Sequence, residues 1–167
     1  MTVKKNIFLT SEQIQQKTKR IAYQILESNS KEKEIILAGI TTNGFLFAQE
    51  IEKELAKITD ISITMCEVII DKKKLLSPIK TSISSDHYKN KSLVLVDDVL
   101  NSGATLIYGI KHFLEVPLKR FKTAVLVNRN HKKYPVKADF KGTSLSTTLQ
   151  EHVVVEFTKN KAIAYLM

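Results

Sequence analysis

The sequence predicts an α/β protein with a central, mostly parallel sheet flanked by helices. Two short apolar runs, residues 35–39 (IILAG) and 93–96 (LVLV), have the composition of strands that are buried on both faces. Each run ends in a polar turn, and apolar residues at helical spacing follow it. In an open α/β sheet, turns of this kind meet at the carboxyl edge, where ligands bind.

The first half of the chain divides into two helices and two strands. A helix is predicted after Leu9, because Thr10 and Ser11 can cap it and isoleucines recur near helical spacing up to residue 25. The strand at 35–39 leads through the turn 40–44 into a second helix. Residues 61–70 form the next predicted strand.

Residues 71–91 have no clear period and include three consecutive lysines, a proline and several hydroxyl residues. A long polar loop in a compact chain is typical of a lid or a disordered segment. The strand at 93–96 follows, and a helix is expected from Leu106. Residues 121–128, 152–157 and 162–166 are predicted strands, and no repeat or linker interrupts a single domain over residues 1–167.

Composition favours an ordinary globular protein, with 43% hydrophobic and 26% charged residues in 167. The single cysteine, Cys66, lies in an apolar strand-like run, which indicates a buried, inert thiol and excludes a disulfide framework. No apolar run has the length of a membrane span, and the first residues lack a signal-peptide apolar region. We therefore expect a cytoplasmic protein that makes no membrane contact.

The net charge of +9 is concentrated in residues 99–167, which hold 11 Lys and Arg against 4 Asp and Glu. Such a half can serve an anionic substrate, an RNA partner or solubility alone. Only three of the basic residues are arginine, which weakens the case for specific reading of nucleic acid.

Two neighbouring carboxylates, Asp97 and Asp98, directly follow the run at 93–96, and a polar turn at 101–105 comes next. The turn precedes a helix, whose first N–H groups bind anions because they lack partners and lie at the positive end of the dipole. Carboxylates repel a phosphate, so they are expected to face sugar hydroxyls or a divalent cation. The pattern indicates a ribose 5-phosphate group, and the alternative is an acid pair that only caps a loop, with Ser102 as N-cap.

The string VLVDDVLNSGAT resembles the phosphoribosyl-pyrophosphate (PRPP) motif of type I phosphoribosyltransferases. The resemblance implies that family's fold, with a small hood beside the sheet. It implies that Asp97 and Asp98 contact the ribose, directly or through Mg²⁺. The residues implied for the 5-phosphate are Asn101, Ser102, Gly103, Ala104 and Thr105, and those implied for pyrophosphate are Thr41, Thr42, Asn43 and Gly44.

A narrower resemblance covers nearly the whole chain. LTSEQIQQKTKRIAYQI, AGITTNGFLFA and LVNRNHKKYPVKADFKG are similar to the group of bifunctional pyrimidine-operon regulators and uracil phosphoribosyltransferases. That group implies transfer of the phosphoribosyl unit from PRPP to uracil, a homodimer or larger homo-oligomer, and in many members RNA binding. It also implies a base-binding region that contains Arg129, His131 and Val136.

The chain departs from the group at several positions. Asn43 and Ala104 stand where the group usually has arginine, which removes two bidentate phosphate donors. Lys19 and Tyr23 replace a threonine and a histidine that are usual in RNA-binding members, whereas Arg20 is retained. The segment 71–91 is shorter than in the group.

Two functions remain open at this stage. The first is Mg²⁺-dependent phosphoribosyl transfer to a pyrimidine; Asn101 stands where purine enzymes of this fold usually have aspartate. No residue is assigned as a general base. The second is a nucleotide-sensing, RNA-binding regulator with little or no turnover. A phospho-receiver domain is disfavoured, because its acid pair would follow the first strand of the sheet.

Overall fold

The computed structural model of the protein describes residues 4–167 and contains two sheets. In chain order the elements are β1 (Asn6–Leu9), α1 (Ser11–Ser28), β2 (Glu34–Ile40), α2 (Asn43–Ala56), β3 (Ser62–Ile69), β4 (Lys80–Thr81), α3 (Ser85–Tyr88), β5 (Ser92–Leu100), α4 (Ala104–Phe113), β6 (Arg120–Arg129), β7 (Phe140–Leu145), β8 (Val153–Phe157) and β9 (Ala162–Leu166).

The larger sheet has the strand order β4-β3-β2-β5-β6-β7. Its strands pair in parallel except β4, which runs antiparallel to β3 at one edge. The smaller sheet is antiparallel, in the order β1-β9-β8, and we call it the hood. The predicted α/β class, with a mostly parallel sheet flanked by helices and a small hood, is confirmed.

The central strand β2 shows why both faces of the sheet are covered. Ile35 and Leu37 pack into the cluster that contains the apolar faces of α1 and α2, whereas Ile36 and Ala38 pack on the α4 side. This division follows from the two-residue period of a strand. A continuous apolar run was therefore the correct signal of a strand buried on both faces.

The first helix begins where its capping residues predicted. Thr10 Oγ1 accepts the N–H of Gln13 at 3.3 Å, and the Gln13 side chain accepts the N–H of Thr10 at 2.9 Å. This reciprocal arrangement satisfies donors that the first turn of a helix would otherwise leave open.

Three sequence-based expectations on local structure were wrong. The strand β5 does not end at the acid pair but continues through Asp97 and Asp98 to Leu100, because it pairs with β6 as far as Asn128. Strands β1 and β7 were missed, since both are edge strands of mixed polarity that form through pairing with a neighbour. The α4 helix begins at Ala104, two residues before the apolar spacing starts.

The polar segment 71–91 is partly ordered. It contains β4 and the short α3, and Tyr88 of α3 is buried edge-on against Phe113 with ring centroids 5.0 Å apart. Its lysine run, Lys72 to Lys74, is exposed. The lid role of this segment stays a prediction.

Two smaller expectations concern Cys66 and membrane spans. Cys66 is fully buried, and burial raises the pKa of its thiol, which agrees with an inert side chain. Within residues 4–167, no helix has both the length and the apolar character needed to cross a bilayer.

Candidate active site

Two strand-to-helix turns meet at the carboxyl edge of the sheet. The turn after β2 contacts the middle of β5: a Cβ built on Gly44 would lie 2.8 Å from the carbonyl oxygen of Val96 and 3.0 Å from Oδ1 of Asp97. Such distances leave no room for a side chain. Gly44 therefore permits the contact between the predicted pyrophosphate turn and the predicted ribose-binding acids.

A polar cleft of about 190 Å³ opens beside this contact. The acid pair and most of the predicted phosphate turn line it, together with residues from β6 and the hood. The lining residues are Lys72, Asp97, Asp98, Val99, Leu100, Asn101, Ser102, Gly103, Thr105, Leu106, Val125 and Val153.

The two carboxylates of the cleft have different environments. Asp97 is only 4% exposed, and its Oδ1 accepts the backbone N–H of Asp98 at 2.9 Å. Burial raises the pKa of Asp97 well above its ordinary value, the adjacent charge of Asp98 raises it further, and the Lys72 ammonium opposes both. The carboxylate of Asp98 is half-buried. A cation or hydroxyl donor that binds in the cleft would offset the unfavourable burial of the Asp97 carboxylate.

The turn after β5 is shaped for an anion. Gly103 has φ +87°, and a Cβ there would lie 2.5 Å from Cγ1 of Val136, so both backbone conformation and space require glycine. Gly103 is also the N-cap residue of α4, so the alternative in which Ser102 caps the helix is not what the structure has. The Ser102 hydroxyl instead accepts the N–H of Ala104 at 3.2 Å. Because α4 has no side-chain N-cap, its first amides face the turn with their partial positive charge.

The predicted base-binding segment folds onto the phosphate turn. The carbonyl oxygen of Ser102 accepts the backbone N–H groups of Lys133 at 2.8 Å and Tyr134 at 3.1 Å. Val136 packs close to Gly103. The structure therefore brings residues 129–136 and 101–105 together, although they are separated in sequence by a helix and a strand.

Arg129 connects the two segments through its guanidinium. Its Nη1 donates to Asn101 Oδ1 at 3.0 Å, and its Nη2 donates to Thr147 Oγ1 at 2.6 Å and to the carbonyl oxygen of Glu151 at 2.7 Å. The side chain is buried, and no carboxylate among residues 4–167 lies within ion-pairing distance of it. Arg129 thus contributes an uncompensated positive charge directly behind the phosphate turn.

His131 is held by the same loop. Its Nε2 lies 2.7 Å from the carbonyl oxygen of Thr147, which can only accept, so Nε2 carries a hydrogen. Neither Arg129 nor His131 lines the cleft. Their polar atoms brace residues 147–151 in this structure.

The pyrophosphate turn is tied to its surroundings at both ends. The backbone N–H of Thr41 donates to the carbonyl oxygen of Val68 at 2.9 Å. The Asn43 amide contacts Asp98 and the hood strand β8. Thr42 is exposed, and the peptide bond between Thr41 and Thr42 is cis.

Sequence reasoning assigned no site role to six residues of the cleft, namely Lys72, Val99, Leu100, Leu106, Val125 and Val153. The lysine run at 72–74 was noticed, but nothing local distinguished Lys72 from its neighbours. Val153 reaches the cleft only because the hood folds back over β5, which no local pattern reveals.

The acid pair has the donor chemistry of a magnesium site. Mg²⁺ is commonly held by one or two carboxylates, with water and ligand phosphates completing its shell. Asp97 and Asp98 supply the carboxylates, and the raised pKa of Asp97 reflects its burial first and the adjacent charge of Asp98 second, both of which a bound cation would offset. No cluster of three acidic, histidine or cysteine side chains suited to a metal occurs in residues 4–167, so further ligands would come from substrate and water.

The class of the protein follows from this site and from comparison with known families. The family model described as "Phosphoribosyl transferase domain" matches residues 6–158, and the chain belongs to this family. It is similar to the "Bifunctional protein PyrR" of Macrococcus caseolyticus, with 35% identity over 90% of this chain and 91% of that protein. The PyrR of Streptococcus sanguinis is 34% identical over 84% of this chain and 83% of its own length. The resemblance to PyrR-like type I phosphoribosyltransferases that the sequence indicated is confirmed.

Solved structures support the same fold. A hypoxanthine-guanine phosphoribosyltransferase from Bacillus anthracis superposes with a TM-score of 0.78 at 20% identity and covers 99% of this chain and 100% of its own. The hypoxanthine phosphoribosyltransferase of Trypanosoma cruzi gives a TM-score of 0.77 at 15% identity and covers 95% of each chain. At these identities the likeness concerns the fold.

The burial of Asp97 leads to a prediction about stability. Asp97→Asn keeps an acceptor for the Asp98 N–H but removes a carboxyl group whose charged form is desolvated, so we expect the free energy of unfolding at pH 7 to rise. Because folding raises the pKa of Asp97, wild-type stability falls relative to the variant as pH rises above the ordinary aspartate range, and the difference stops growing once Asp97 is ionised in the native protein as well.

Urea denaturation at several pH values measures this difference. The exposed Asp60 provides the control, because Asp60→Asn removes a solvated carboxylate and should change stability little. A variant at position 97 that is less stable than wild type at pH 7 would contradict the prediction.

Proposed function

We propose that the protein is a phosphoribosyltransferase that transfers the phosphoribosyl group of PRPP to a pyrimidine base, uracil in the first place, and releases pyrophosphate. One observation carries the proposal. The acid pair and the turn after β5 line one cleft, and Gly44 of the turn after β2 contacts Asp97 beside that cleft, although residues 41–44 do not line the cleft itself.

Each part of the cleft receives a role under this proposal. Asp97 and Asp98 accept hydrogen bonds from the ribose hydroxyls, which give the buried carboxylates donors that the protein does not provide. The amides of Gly103 and Thr105 and the hydroxyls of Ser102 and Thr105 hold the 5-phosphate at the positive end of α4, whereas the Ala104 amide donates to Ser102. Arg129 stabilises this anion from behind, through Asn101.

Mg²⁺ bound at the acid pair would neutralise charge on the departing pyrophosphate. The remaining contribution of the protein is positioning, since the base must approach the anomeric carbon opposite the leaving group. No side chain in the cleft is assigned as a general base. Segment 71–91 reaches the cleft through Lys72, and we propose that it excludes water when PRPP is bound.

The proposal of a pyrimidine substrate is based on the relatives of this chain and on one residue, Asn101. The curated relatives are named as bifunctional PyrR proteins, whereas the structural neighbours are named as hypoxanthine or hypoxanthine-guanine enzymes. Asn101 lies at the mouth of the cleft, and its Oδ1 accepts a hydrogen bond from Arg129. An amide held in this way cannot supply the carboxylate that purine chemistry on this fold employs.

A second candidate function is nucleotide-dependent RNA binding with little turnover. The uneven positive charge and the absence of arginine at positions 43 and 104 favour it. The geometry of α1 weakens it, because Arg20 donates to the carbonyl oxygens of Lys141 at 3.2 Å and Gly142 at 2.7 Å. Lys19 and the 49%-exposed Tyr23 remain available on this face.

Incubation with Mg²⁺, PRPP and single bases tests the first function. We expect pyrophosphate release with uracil, weaker release with other pyrimidines, and none with hypoxanthine or guanine. The double variant Asp97→Asn, Asp98→Asn should remain folded and lose PRPP binding. Intact nucleotide binding without pyrophosphate release for any base would favour the regulatory function instead.

The lysine run of segment 71–91 supplies a prediction with internal controls. Lys72 lines the cleft and its charge acts on Asp97, so Lys72→Gln should lower kcat/KM for PRPP by about tenfold, the size expected for loss of a charge-assisted contact. Lys73→Gln and Lys74→Gln remove the same charge from neighbouring exposed positions and should change it less than twofold. Equal losses in all three variants would show a general effect of charge instead.

A further inference from the structure

The Asn43 side chain joins three parts of the molecule at the cleft. Asn43 is the first residue of α2. Its Nδ2 donates to Asp98 Oδ2 at 3.2 Å and to the carbonyl oxygen of Val155 at 2.8 Å. Val155 lies in the hood strand β8. One amide group therefore connects the turn after β2, the acid pair and the hood.

The orientation of this amide is determined by its partners. A carbonyl oxygen and a carboxylate oxygen both accept hydrogen bonds, so the group that faces them is the NH₂ of Asn43. Its two hydrogens match two acceptors, and an exchange of nitrogen and oxygen would place three oxygens together.

The orientation of the Asp98 carboxylate depends on its hydrogen bond from Asn43. Among residues 4–167, Asn43 is the only side chain that donates a hydrogen bond to the Asp98 carboxylate, and no lysine, arginine or histidine lies within ion-pairing distance of it. Asp97 next to it repels the charge. Without Asn43, the Asp98 carboxylate would lose the side-chain amide that holds it in this orientation.

We infer that Asn43 is a positioning residue that holds Asp98 ready for the ribose hydroxyls and keeps the hood against the ribose end of the cleft. The inference rests on the proposed function, because it assigns Asn43 to the binding of that reaction's sugar. It differs from a phosphate-binding role for the turn after β2: Asn43 acts through Asp98, and its donors are already engaged within the protein.

A double-mutant cycle separates the two roles. PRPP and inorganic phosphate are titrated separately into wild type, Asn43→Ala, Asp98→Asn and the double variant, and binding is measured by calorimetry without base. We expect Asn43→Ala to weaken PRPP binding about fivefold, as for one hydrogen bond, and to leave inorganic phosphate binding at the α4 turn unchanged. In the Asp98→Asn background, Asn43→Ala should have no further effect on PRPP.

Two further variants provide a control and a replacement for this experiment. Asn160→Ala removes an exposed asparagine from the turn between β8 and β9 and should match wild type. If Asn43→Ala does not fold, Asn43→Asp replaces it; this variant keeps the shape, puts a second charge beside Asp98, and should weaken PRPP binding by more than fivefold.

The outcomes are distinct. Additive losses in the double variant, or equal losses for PRPP and inorganic phosphate, would overturn the positioning role while leaving the proposed function intact. A wild-type protein that binds inorganic phosphate but not PRPP would overturn the proposed function and this inference with it.

Discussion

The burial of one carboxylate beside another is the constraint on which the site depends. Asp97 belongs to a strand that continues past the predicted end of β5, so its side chain lies within the protein instead of in a solvated loop. Proteins rarely bury such a charge without a paired cation. Here the compensation inside the protein is small: one backbone N–H from Asp98 and the distant charge of Lys72.

The neighbouring turns surround this unfavourable pair, and both of its members line the cleft. On the side of α2, Gly44 directly contacts Asp97, and Asn43 orients the Asp98 side chain toward the hood. On the other side, Arg129 and the Ser102 carbonyl fasten residues 101–105 to the segment that follows β6. The cleft leaves the acid pair open to ligands. A ligand that supplies hydroxyl donors or a cation there is bound favourably, because it stabilises carboxylates that the protein itself compensates poorly.

Local sequence patterns predicted the parts of this arrangement that depend on local chemistry. The buried strands β2 and β5 and the glycine-containing turn before α4 all follow from residue type and spacing within about fifteen positions. The edge strand β7 and the hood strand β1 did not, because both have mixed polarity and form through pairing with a neighbouring strand. The lining residue Val153 and the contact between Asn43 and Val155 could not be found, because both depend on how the hood packs against the sheet. The placement of Arg129 is intermediate: its segment was identified, but its role as a buried brace depends on a loop eighteen or more residues further on.

The charges around the cleft bear on how a polyphosphate ligand can bind at all. Asn43 and Ala104 are neutral, whereas Lys72 lines the cleft together with two carboxylates and Arg129 donates to Asn101 of its lining. A pyrophosphate group that entered alone would meet Asp97 and Asp98 with little to offset their repulsion. Under the proposed function, Asp97 and Asp98 would hold a Mg²⁺ ion that accompanies the ligand, and the ion would supply the positive charge that offsets their repulsion. With neutral residues at positions 43 and 104, the proposed phosphate binding would rest on backbone amides, the α4 dipole and this ion.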